Sequence, residues 1–171
     1  MRLETDRLVL RPHEIGDFDD LHGLTAAPAM RRHLSGFASV EDSWKRLMSV
    51  LGGWATFGFS TFAVIERANG KYVGNCGLFR MMRDMDPPFP AGAPEAGWII
   101  AGEAHGRGYA GEAMAAALAW FDASFDQPLT VAMIVPGNTA SERIAAKLGY
   151  RPVGEARHAG DTVMRFERRA G

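Results

Sequence analysis

The sequence is short of several things, and each shortage removes a class of function. It has one cysteine, Cys76, which excludes an internal disulfide and a cysteine-cluster zinc site. Cys76 sits in a strand-like run, where a buried, inert thiol is expected. The five histidines lack metal-ligand spacing, so no metal is expected. No apolar run reaches the ~18 residues of a membrane span. The start, Met1-Arg2-Leu3-Glu4-Thr5-Asp6, has no signal-peptide core, so the expectation is a soluble, cytoplasmic protein without a membrane partner. Formal net charge is -1 and no long run of one sign occurs. That argues against bulk nucleic-acid binding. There is no internal repeat, and no compositional shift marks a second domain. The 171 residues therefore read as one domain, 1–171.

What is present centres on the stretch Glu103-Ala104-His105-Gly106-Arg107-Gly108-Tyr109-Ala110-Gly111-Glu112-Ala113. It follows the apolar run Trp98-Ile99-Ile100 and opens an alanine-rich helix expected over Tyr109 to Phe125. Ala110, Met114, Ala117, Leu118 and Phe121 mark that helix's buried face. A glycine-rich turn from strand to helix suits phosphate, because backbone N–H groups converge there and the helix end is partly positive.

Around this stretch the pattern alternates. Leu3 to Arg11 reads as one strand. A short helix starts at Asp17, and a second begins at Ser39-Val40-Glu41-Asp42 and is expected to stop at Gly52-Gly53. Ser60 to Glu66 and Lys71 to Arg80 read as a hairpin about Asn69-Gly70. Met81 to Pro94 resists assignment; a loop this long inside a domain tends to be functional or mobile. Glu95 to Ala101 is the strand before the glycine turn, and Leu129 to Val135 the strand after its helix, the pattern of a parallel crossover. Thr139-Ala140-Ser141-Glu142 opens a further helix that Gly149 caps. Tyr150 to Glu155 and Thr162 to Glu167 close the chain as an antiparallel pair.

Gly106-Arg107-Gly108-Tyr109-Ala110-Gly111 spells the dinucleotide fingerprint, but its context fails. The fingerprint places its first glycine almost directly after the strand, and an acid about 20 residues on. Here five residues separate Ile100 from Gly106, and the next strand ends Val135-Pro136-Gly137-Asn138, without a carboxylate. No G-x-x-x-x-G-K-[ST] occurs either.

Four separated motifs fit another context. They are Leu3-Glu4-Thr5-Asp6-Arg7-Leu8-Val9-Leu10-Arg11-Pro12, Glu95-Ala96-Gly97-Trp98-Ile99-Ile100, Gly106 through Ala113, and Asn138-Thr139-Ala140-Ser141-Glu142-Arg143-Ile144-Ala145-Ala146-Lys147-Leu148-Gly149-Tyr150. In this order and spacing, the chain resembles the GNAT superfamily of acetyl-CoA-dependent N-acetyltransferases, most closely its RimJ/RimL-like branch. The resemblance implies an α/β (α+β) fold. Its central mixed, mostly antiparallel sheet would have six to seven strands, flanking helices and a splayed parallel pair.

It also implies a site. Gly106, Arg107, Gly108, Tyr109, Ala110 and Gly111 would cradle the pyrophosphate of acetyl-CoA, with Arg107 a candidate charge contact. Trp98, Ile99, Ile100 and Ala101 would line the cofactor arm, which pairs with backbone of Ile99 and Ala101, and an N–H near Trp98 or Ile99 would face the oxyanion. Asn138 would bond the arm or fix the strand end. Ala145 stands where many relatives carry a tyrosine acid; Ser141 matches the serine of the RimJ/RimL-like branch and is the candidate partner of the leaving sulfur. Glu95 is the candidate base, acting through water. His33, beside Arg31 and Arg32, and Phe89 would line the acceptor side. The expected reaction is direct attack of an amine, from a protein N-terminus or a small molecule, on acetyl-CoA. A non-catalytic acyl-CoA sensor is the alternative, and dimers are frequent in the family.

Overall fold

The computed structural model describes residues 1–28 and 39–170; the expectations for His33, Arg31 and Arg32 lie outside them. The described residues form a single mixed sheet of nine strands in the order β1-β2-β3-β4-β6-β7-β9-β8-β5, with four α-helices. Seven strands have five or more residues: β2 (Leu8–Pro12), β3 (Thr61–Glu66), β4 (Tyr72–Phe79), β6 (Glu95–Ile100), β7 (Leu129–Ile134), β8 (Arg151–His158) and β9 (Asp161–Arg169). The other two, β1 (Leu3–Glu4) and β5 (Met85–Asp86), have two residues each. The single strand expected over Leu3 to Arg11 is folded on itself. Thr5, Asp6 and Arg7 turn the chain so that Leu3 pairs with Leu10 and Glu4 with Val9. Thr5 donates its N–H to the carbonyl of Leu8 at 3.0 Å, and its hydroxyl oxygen accepts from Leu8 N–H at 2.9 Å.

Helices α1 (Phe18–Ala26) and α2 (Val40–Phe57) precede β3, α3 (Tyr109–Ser124) links β6 to β7, and α4 (Thr139–Lys147) follows β7. Ser39 caps α2 by accepting from the Asp42 N–H at 3.0 Å. The helix runs through Gly52 and Gly53 and stops at Gly58, whose φ of 75° is left-handed. A Cβ on Gly53 would stand 3.0 Å from the Ser60 hydroxyl. The missing side chain lets the helix lie close to the start of β3, and packing overrides the weak helix propensity of glycine.

The two faces of the sheet bury different things. One face packs on α3: Cys76, Leu78, Ala96 and Ile100 join Tyr109, Ala113, Met114, Ala117 and Phe121 in the main core. Burying each large apolar side chain contributes roughly 1.5–3 kcal/mol. The other face carries Tyr72 and Ile99 under Leu24 of α1. Alternation along the strands puts Glu95, Gly97 and Ile99 on this second face, and Ala96, Trp98 and Ile100 on the α3 face.

The loop Met81 to Pro94 is pinned at the sheet edge. Met85 and Asp86 pair with His158 and Arg157 of β8. Arg165 donates to the Pro88 carbonyl at 3.1 Å. Phe89, expected on the acceptor wall, packs instead with Met85, Ala156 and Val163 in a small core of its own.

Candidate active site

The parallel pair opens as soon as it forms. Glu95 opposite Val131 is the one register pair joining β6 and β7, and Val131 N–H reaches the Pro94 carbonyl at 2.9 Å. Both strands continue, β6 to Ile100 and β7 to Ile134, without further pairing. Ala101 N–H is held by Val73 of β4 at 2.9 Å, and alternation turns the main-chain groups of Ile99 the same way. Ile99 and Ala101, expected to offer theirs to the cofactor arm, thus spend them on β4. Trp98 and Ile100 are the residues whose main chain faces the gap. His105 folds back to donate Nε2–H to the Ile100 carbonyl at 2.8 Å. The Trp98 groups and the Ile100 N–H stay on the open edge.

Beyond the gap lies the glycine turn. Gly106 and Gly108 have φ of 75° and 80°, a region costly to other residues by about 1–2 kcal/mol. Gly108 is the N-cap of α3 and supplies no side-chain cap; the first helical bond is Glu112 N–H to the Gly108 carbonyl at 3.1 Å. The N–H groups of Tyr109, Ala110 and Gly111 therefore have no partner within the helix. A Cβ on Gly106 or Gly111 would meet nothing within 4 Å, so these positions face open space. Converging donors, a helix N-terminus and open space fit a pyrophosphate.

Side chains around the turn act as its frame. Arg107, expected as a phosphate contact, is turned onto Glu66 at the end of β3, with its guanidinium 4.5 Å over the Tyr109 ring. The Tyr109 hydroxyl donates to the same Glu66 oxygen at 2.5 Å. Hydrogen bonds from Tyr109, Arg107 and Asn69 pull the Glu66 carboxyl down to about 2. On the other side Glu112 accepts from the Thr5 hydroxyl at 2.6 Å, the Arg7 N–H at 3.1 Å and Arg7 Nε at 2.7 Å. Arg7 Nη1 donates to the Arg107 carbonyl at 2.9 Å. Thr5, Arg7, Glu66 and Glu112 shape the turn; the first two belong to the opening motif and Glu112 to the glycine motif, while Glu66 stands in neither.

At the far side of the gap, Asn138 caps α4: its Oδ1 accepts from the Ser141 N–H at 3.2 Å. The Trp98 indole Nε1–H donates to Ser141 Oγ at 3.3 Å. An indole is a donor only, so the serine oxygen accepts and its own proton is available elsewhere. Ala145, at the place of the tyrosine acid, is fully buried. Cys76 is buried too, and burial pushes its thiol up to about 12, away from the thiolate that a nucleophile requires.

Glu95 is buried, and both its oxygens are engaged: Arg83 donates through Nε and Nη2 at 2.8 Å each. A separate cavity of about 540 Å³ opens at the other end of α3, lined by residues including Asp122, Phe125 and Pro128, and shares no residue with this site.

A family model described as "Acetyltransferase (GNAT) domain" matches residues 7–151. The chain belongs to the GNAT acetyltransferase family. A putative GnaT-family acetyltransferase from Bordetella pertussis superimposes with a TM-score of 0.86 at 30% identity, covering 98% of this chain and 99% of that one. An acetyltransferase from Agrobacterium tumefaciens gives a TM-score of 0.85 at 24% identity over 99% and 95%. YkkB of Bacillus subtilis, an uncharacterized protein, is 27% identical over 99% of this chain and 96% of its own. RimL, a ribosomal L7/L12 alpha-N-protein acetyltransferase solved with coenzyme A, shares the fold with a TM-score of 0.78 at 16% identity, covering 99% and 98%. Family membership makes the protein an acetyl-CoA-dependent N-acetyltransferase.

Proposed function

We propose that this protein transfers the acetyl group of acetyl-CoA to a primary amine, of a small molecule or a protein N-terminus, by direct attack. The observation that carries the reading is the Trp98–Ser141 bridge across the parted strands. One residue presents its main chain to the gap and, through its indole, aims a hydroxyl from the other side. Gly106, Gly108, Tyr109, Ala110 and Gly111 would hold the pyrophosphate by main-chain N–H groups, and Trp98 and Ile100 the arm. The Trp98 N–H donates to the carbonyl oxygen as negative charge collects on it.

The amine lone pair forms a bond to the thioester carbon, through a tetrahedral intermediate, and the carbon–sulfur bond breaks. The sulfur keeps that electron pair, and Ser141 donates a hydrogen bond to it. A serine hydroxyl is too weak an acid to give its proton outright, so it stabilises charge. The amine's extra proton leaves to water. Glu95 enters as the residue that holds Arg83 in place. The likeness to the RimJ/RimL-like branch rests on Ser141 and on the opening motif.

Ser141→Ala tests this. A hydrogen bond to a charged group is worth enough to lower kcat about 10- to 100-fold, while the acetyl-CoA Kd changes less than about twofold, by calorimetry. Unchanged kcat removes the role given to Ser141.

A further inference from the structure

The second face of the sheet, opposite α3, carries a polar arrangement that the transfer step does not use. Asn75 of β4 pairs with Ile99, Gly77 with Gly97, and Phe79 with Glu95. Along this line two glycines face each other, and the Phe79 ring lies over Gly97, 3.0 Å from where a Cβ would stand, so an aromatic edge covers the floor between Asn75 and Glu95. It lies beside Gly97 and Trp98, where the strands part.

Both ends of that floor are polar. Asn75 is 1% exposed, and neither its Nδ2 nor its Oδ1 has a hydrogen-bond partner among the described residues. An amide buried without partners costs about 1–3 kcal/mol, and such violations concentrate where a ligand supplies the missing partner. At the other end Arg83 meets Glu95 through Nε and Nη2, at 2.8 Å each. Its third nitrogen, Nη1, makes no hydrogen bond to a described residue. The side chain is 18% exposed, so this end of the guanidinium is accessible.

Arg46 on α2 brings a second guanidinium within electrostatic reach of Arg83, Glu95 and Tyr72.

We propose that Arg83 selects the acceptor, and that the acceptor is a primary amine carrying a carboxylate near the reacting nitrogen. This rests on the acetyl-transfer reading above. Glu95 fixes the guanidinium fork and Nη1 faces the carboxylate, while Asn75 takes up a further polar group of the acceptor. Glu95, which holds Arg83, and Trp98 lie three residues apart on β6.

The test uses the whole protein, acetyl-CoA and matched acceptors: the common amino acids, their carboxamides and a linear polyamine, with CoA thiol release as the rate. The acids should exceed their own amides in kcat/KM by about 10- to 100-fold, the scale of a charge-assisted contact. Arg83→Gln should bring the acid-to-amide ratio to about one, and Arg83→Lys should keep part of it. Equal rates for acids and amides in the unaltered protein, or a ratio that survives Arg83→Gln, overturns the proposal. If Arg83→Gln does not fold, the unaltered protein and Arg83→Lys decide. Thiol release with no amine at all, while CoA still raises Tm, contradicts the transfer reading instead. The selectivity of Arg83 is then read from whether acids raise the Tm of the CoA complex more than amides do; no difference overturns it.

Discussion

At the scale of single residues, the chemistry depends on what each charged group is already holding. Arg107 sits in the glycine turn, yet its guanidinium serves Glu66 and the Tyr109 ring. In the proposed reading the turn binds pyrophosphate through main-chain N–H groups, and Arg107 keeps their geometry. Glu95 shows the same logic, since Arg83 occupies both of its oxygens. If Glu95 is an anchor, Glu95→Gln should raise the acceptor KM about as much as Arg83→Gln, roughly 10-fold. The rise of kcat with pH, set by ionisation of the amine, should remain. Loss of that rise in Glu95→Gln alone, in a pH profile of kcat, would instead make Glu95 the base. Ser141 and Asn138 were named from their motif's resemblance to the family, and the contact between them is local, three positions apart in one helix start. Arg83 was not, since its partner lies 12 positions away across a segment without periodicity.

At the scale of elements, the opening motif acts as a strap. Thr5 and Arg7 cross from the β1–β2 turn to Glu112 in the first turn of α3. Arg7 also holds the carbonyl of Arg107. These contacts span a hundred residues or more, so no local pattern announces them; the glycine turn itself was legible because its φ angles demand glycine at Gly106 and Gly108. The early stop expected for α2 at Gly52-Gly53 failed for a related reason: close approach to Ser60 decides that position. Glu112→Ala should loosen the turn, raising the KM for acetyl-CoA about 5-fold with kcat within about twofold, the scale of one or two partly exposed hydrogen bonds. A KM that does not move shows that the strap has no part in holding the cofactor.

At the scale of the whole molecule, acid stability reports the buried polar groups that join the sheet to its helices. His13 is 3% exposed, between the Thr61 carbonyl and the Tyr72 hydroxyl, and burial lowers its pKa to about 4. Its unfolded value is near 6.5, so between pH 6.5 and 4 the unfolded chain binds the extra proton. Stability is thus full above pH 6.5 and falls by about 3 kcal/mol as pH drops to 4. Glu66, with its folded value near 2, loses its contribution in a lower window, below about 4.5. Urea unfolding at a series of pH values should show the first loss, and His13→Gln should flatten it. A flat profile from pH 7 to 4.5 in the unaltered protein would contradict the burial argument. The mixed sheet and its parallel pair were foreseeable from the order of elements. The ninefold strand count was not, because β1 and β5 are two-residue strands made by a turn and by an edge contact.

The central claim is that an amine attacks the thioester directly in the gap between β6 and β7. It is tested by quench-flow of the protein with acetyl-CoA, following free CoA thiol and the mass of the intact chain, with and without an acceptor. The account predicts thiol release that requires the amine, equals the acetylated amine formed, and leaves the chain's mass unchanged. A burst of thiol before any amine is added, with an acetyl group retained on the protein, would contradict it.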